Sequence, residues 1–167
     1  MKKLSLIFIC LVFITTAANS QLTAFTPADA LLVRSYSLAD LTDNGNYAAG
    51  FIRTIKDRLN IDHKRYGDAN YISPNYSELV IINTETKEQI SPFKERGIFG
   101  NLKWSPDGTR LAIIKYEDPL FVLYIYDIEK RRLQKVKSEH TNPIASGSEL
   151  LWNKKDESII LSVRENN

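Results

Sequence analysis

Cysteine is almost missing. The 167-residue chain has one, Cys10, and it lies inside an apolar run near the start, behind Phe8 and Ile9 rather than behind small residues, so it does not resemble a lipidation site. Beyond that run neither a disulfide nor a thiolate metal site is available, and stability has to come from packed apolar side chains. Histidine is scarce too. His63 and His140 each stand alone in polar surroundings, with no second histidine at ligand spacing and no nucleophile written beside them. Ser148, in Gly147-Ser148-Glu149-Leu150, lacks the following glycine that a nucleophile elbow requires. No glycine-rich phosphate loop occurs. Asp40, Asp43 and Asn44 make an acidic stretch without the twelve-residue calcium pattern. The sequence therefore predicts no catalytic residues, no metal site and no cofactor in this chain.

An excess of one charge is also lacking. The formal net charge is +2, and without Lys2 and Lys3 it falls to about zero, which excludes the basic footprint expected of a nucleic-acid or anionic-membrane binder. The basic cluster Lys130-Arg131-Arg132 falls where a hairpin tip is expected. Residues 1–20 read as a secretory signal: Lys2 and Lys3 as the positive start, 4–14 as the apolar region, and Ala18-Asn19-Ser20 before the cleavage point. The apolar run is short for a membrane span. The expected location is outside the cytoplasm, periplasmic or secreted, with no membrane contact once the signal is removed.

What the chain has in quantity is a strand, turn and strand pattern. Leu102 and Trp104 alternate with polar neighbours, Ser105-Pro106-Asp107-Gly108 carries the residue types of a tight turn, and 111–116 is apolar on both faces apart from Lys115. A strand of that kind belongs inside a stack of sheets. Weaker copies run from Leu38 through Thr42-Asp43-Asn44-Gly45 and from Leu150 through Asn153 to Leu161. The copies begin about 64 and then about 48 residues apart, near the roughly 40 to 50 residues of one four-stranded propeller blade when an insertion at 56–75 is allowed for.

Trp104, Ser105, Pro106, Asp107 and Gly108, continued by Thr109-Arg110-Leu111-Ala112, resemble the repeat of periplasmic propellers, shared by TolB-like proteins and by the propeller domain of prolyl oligopeptidase family serine peptidases. The lead-in Thr26-Pro27-Ala28-Asp29-Ala30-Leu31-Leu32 resembles the entry to the first blade of secreted bacterial members of that peptidase family. The resemblance implies an all-β fold, a partial propeller of about two and a half antiparallel four-stranded blades after a short helix. The corresponding divisions are a lead-in at 21–34, blade one at 35–95, blade two at 96–140 and an incomplete blade three at 141–167. The expected strands are 34–41, 47–55, 78–83, 88–93, 98–105, 110–117, 121–128, 132–137, 150–152 and 158–163. In the third blade Ile159, Ile160 and Leu161 should form a paired sheet edge that lacks its outer strands, which would favour self-association through the open edge.

By the same resemblance the chain would be a non-catalytic scaffold that gates peptide access to a catalytic domain absent from it, its partners being the rest of that protein or the peptide substrate. The alternative is a TolB-like propeller that binds a protein partner. The insertion carries the sharpest candidate contacts, Arg58, Arg65, Tyr66 and Tyr71, because a long loop rich in charge and tyrosine can line an entrance or an interface.

Overall fold

The computed structural model describes residues 24–68, 71–137, 142–153 and 158–164. The signal-like segment 1–20 lies outside them. The chain divides into two units, Met1–Ala30 and Leu31–Asn167. A helix α1, Pro27–Leu32, begins in the first unit. Thr26 and Asp29 form a reciprocal cap: Asp29 accepts from the Thr26 amide at 2.8 Å and the Thr26 hydroxyl at 2.7 Å, and Thr26 Oγ1 accepts from the Asp29 amide at 3.2 Å. Proline at the first helical position costs no hydrogen bond there.

All strands among the described residues belong to the second unit, and they are antiparallel. β1 (Ser35–Leu41), β2 (Tyr47–Arg53), β3 (Glu78–Asn83) and β4 (Gln89–Ile90) form one four-stranded sheet in sequence order. β5 (Phe99–Trp104), β6 (Arg110–Glu117), β7 (Leu120–Asp127) and β8 (Arg132–Lys135) form a second. β9 (Leu150–Trp152) and β10 (Ile159–Leu161) make a two-stranded third sheet. The expected strand at 88–93 shrinks to two residues. Pro92 has no amide to donate to a ladder, so pairing ends before it. No helix among the described residues is long and apolar enough to cross a membrane.

The turns of the first two sheets are built alike. In the second, Ser105 N donates to Arg110 O and Gly108 N to Ser105 O, each at 2.8 Å, while the Ser105 hydroxyl donates to Asp107 and accepts from the Arg110 amide at 2.9 Å. In the first, Thr42 N donates to Tyr47 O at 3.0 Å and Gly45 N to Thr42 O at 2.8 Å; the Thr42 hydroxyl donates to Asn44 and accepts from the Tyr47 amide. The hydroxyl side chain thus replaces part of the ladder inside the turn. Asn153 N to Ser158 O, at 2.9 Å, closes the third turn at the same spacing; its inner residues 154–157 lie outside the described ones.

β6 separates two cores. Leu111, Ala112, Ile113 and Ile114 are all 0% exposed, as an apolar run covered on both faces requires. Leu111 and Ile113 join Leu102, Trp104 and Tyr126 against Ala49, Phe51, Leu79 and Ile81 of the first sheet. Ala112 and Ile114 join Phe121 and Leu123 against Leu150, Trp152, Ile159 and Leu161 of the third. Alternation along each strand sends neighbouring residues to opposite cores. Among the described residues β10 pairs with β9 alone, so the third sheet carries no outer strands. Ile159 and Leu161 are half-buried in the second core, and Ile160 alone of the three points outward, with Leu151 beside it on β9.

The first strands of the three sheets, β1, β5 and β9, lie next to one another. Polar contacts join them. Asp40 of β1 accepts from the Trp104 amide at 2.7 Å and from Lys103 Nζ at 2.8 Å, and Trp152 Nε1 of β9 donates to Lys103 O at 3.0 Å.

Candidate functional site

The segment between β2 and β3 carries the most side-chain chemistry. Its first half is a short 3-10 turn, Lys56–Arg58, positioned by Asp57. That carboxylate accepts from the Thr54 amide at 2.6 Å, the Thr54 hydroxyl at 2.7 Å and Arg96 Nη2 at 2.6 Å. Arg96, from the connection between β4 and β5, also donates to Ile52 O at 3.0 Å. One arginine therefore fixes the loop to the end of β2. Ile61, 8% exposed, anchors the middle of the segment.

The second half is a separate knot. A 3-10 turn, His63–Arg65, is capped by Asp62, which accepts from the Lys64 amide at 3.0 Å. Tyr71 accepts through its hydroxyl from the Asp62 amide at 2.7 Å. Arg65 pairs with Asp68 at 2.6 Å and lies 4.7 Å from the centre of the Tyr71 ring; the hydrogen bond from Arg65 to Asp68 raises the guanidinium pKa further. Tyr66, 61% exposed, meets His63 edge to face at 5.2 Å. The four candidates of the insertion are thus divided. Arg65 and Tyr71 hold their own loop together, Tyr66 is presented to solvent, and Arg58 lies with the first half.

Beside the first half runs an open groove of about 550 Å³, lined by Leu32, Thr54, Lys56, Asp57, Asn60, Pro74, Tyr76 and Arg96. Lys56 has no ion-pair partner among the described residues, nor does Arg58. Arg53, over the Phe51 ring at 5.1 Å, has its pKa lowered, first by burial and then by the nearby Arg58 charge, with Asp57 opposing. The same end of the first sheet holds buried polar atoms without a protein partner: Arg53 Nε, Asn75 Oδ1 and Ser77 Oγ. Such atoms need a water or a ligand group.

Sequence reasoning found Arg58 but missed Lys56, Asp57, Asn60 and Arg96. Thr54-Ile55-Lys56-Asp57 repeats the spacing of the Thr26–Asp29 cap, a signal that was legible. Arg96 carries none, because only folding brings it to Asp57. Trp104, Ser105, Pro106, Asp107 and Gly108 lie at the β5–β6 turn, where Trp104 and Ser105 are buried; the hydrogen bonds of Ser105, Asp107 and Gly108 close the turn, and the Trp104 amide is spent on Asp40. Among the described residues no group of three or more potential metal ligands occurs. No protein-family model matches the chain, and no curated protein matches it at a significant level.

Proposed function

We propose that this chain is the non-catalytic propeller portion of an exported serine peptidase resembling the prolyl oligopeptidase family, a scaffold that restricts which peptides reach a catalytic domain supplied elsewhere. One observation carries the reading: successive antiparallel sheets, the first two opening with the same kind of turn, stack so that β1 lies beside β5 and β5 beside β9. Radial repetition of sheets around their first strands is the architecture of a propeller. The repeat motif adds its resemblance to that family, and β6, buried on both faces, is what a sheet between two others requires. The scaffold acts by shape: its loops and sheet ends decide what passes, and the chemistry belongs to other residues.

An antibody raised against this chain, used on source cells treated with a fluorophosphonate probe, tests the proposal. The expected result is an exported species, heavier than this chain, whose serine carries the probe. An exported species that never takes the label would overturn the peptidase assignment and favour the TolB-like alternative.

A further inference from the structure

The groove lined by Leu32, the Lys56–Arg58 turn and the β4–β5 connection combines an unbalanced charge with an apolar wall. Residues 53–58 contribute Arg53, Lys56 and Arg58 against one acid, Asp57, and Asp57 is already occupied by Arg96 and Thr54. Glu78, opposite Ile52 on β3, is paired with Arg34 at 3.0 Å. Arg96 and Lys56 line the groove, and the Arg58 charge is felt at Arg53. The local field is therefore positive, in a chain otherwise balanced in charge. The same lining includes Leu32 and Tyr76, 57% and 46% exposed, together with Pro74. The Asn60 amide, also on the lining, can both donate and accept.

We propose that this groove binds the C-terminal end of a peptide whose last residue is apolar, with the free carboxylate on Lys56 and the last side chain against Leu32, Pro74 and Tyr76. The carboxylate meets a cation that has no ion pair among the described residues, so no bridge seen there has to break. Arg96 and Asp57 hold the floor rigid, which spares the ligand the entropy of ordering it. Asn60 faces the last peptide amide. Charge selects the carboxylate, and the apolar wall selects a peptide end over a small anion. The inference does not depend on the peptidase reading and would stand beside either outcome of the labelling experiment.

The test is a titration of the full chain, labelled with nitrogen-15, with N-acetyl-glycyl-phenylalanine, with its C-terminal amide and with sodium acetate. The expected result is saturable shifts of the Thr54, Lys56, Asp57, Asn60 and Tyr76 amides with the free acid, weakened by salt, and much smaller shifts with the amide or acetate. Lys56→Gln, an exposed substitution that leaves the rest of the spectrum in place, should weaken binding about tenfold, the worth of one hydrogen bond to a charged group. Equal binding of acid and amide, equal effects of acetate, or shifts that map away from the groove would each overturn the proposal. So would unchanged affinity in Lys56→Gln.

Discussion

Two glycines show how much a single position can report. Gly45 and Gly108 occupy equivalent places in the first and second turns, with φ of +75° and +72°. A Cβ at Gly45 would meet nothing within 4 Å, whereas one at Gly108 would lie 3.3 Å from Thr42 Cγ2. Gly45→Ala should therefore cost about 1 kcal/mol, from the left-handed backbone alone. Gly108→Ala should cost roughly 1 kcal/mol more, because Thr42 is 2% exposed and has little room to give. Urea unfolding of the two variants checks this, and equal losses would show that the contact between the turns is immaterial. Asp107-Gly108 and Asn44-Gly45 announce such turns in the sequence. The outer hairpins do not. Lys87 and Arg131 both adopt positive φ, at 63° and 49°, after Asn83 and Asp127, whose side chains accept from backbone amides of the turn. Lysine and arginine carry no local signal for that conformation.

At the scale of the element, β6, β7 and β8 are tied together by Glu117. Its carboxylate accepts from Lys135 Nζ at 2.7 Å and from the Tyr124 hydroxyl, and the Lys135 and Tyr124 hydrogen bonds hold it below the usual carboxylate range. Burial, and then the hydrogen bond to Glu117, push the Tyr124 phenol up to about 12. Because the folded value lies above that of the unfolded chain, this stabilisation is complete below about pH 10. It is lost as pH rises from there through about 12. Tyr124→Phe should consequently be less stable than the parent at pH 9, with the gap closing as pH approaches 12. Urea midpoints of both proteins across that range decide it; a gap that persists unchanged would remove the phenol–carboxylate link as its source. The strands themselves were legible from periodicity, since 78–83, 110–117 and 150–152 begin and end where the structure puts them. The 56–75 segment reads as a polar excursion in the sequence. Its two 3-10 turns are set by side-chain caps that periodicity does not register.

Between sheets, Asp40 matters more than its place in an exposed strand suggests. It follows a break in the β1–β2 register between Leu38 and Asp40, and that break accompanies a carboxylate aimed at the next sheet, where the Trp104 amide donates to it. Asp40→Ala should lower stability by about 1 to 3 kcal/mol, the range for losing a hydrogen bond to a charged group and leaving a buried amide unmatched. Hydrogen exchange at Trp104 should accelerate more than at Ile113, in the interior of β6. If both amides keep their protection, the joint between the sheets does not rest on Asp40.

The sequence by itself determined most of the strands, the turns at Asn44-Gly45 and Asp107-Gly108, and the double-sided burial of β6, because alternation and turn chemistry are local properties of neighbouring residues. It also located the charged segment in which Arg58 lies. Only the tertiary structure decided that Arg96 closes on Asp57, that Ile159 and Leu161 turn inward while Ile160 does not, and that Thr42 of one turn rests against Gly108 of the next. Those relations join residues far apart in the chain, and their energies arise from close packing and from pairing charge away from water, neither of which is written in local pattern.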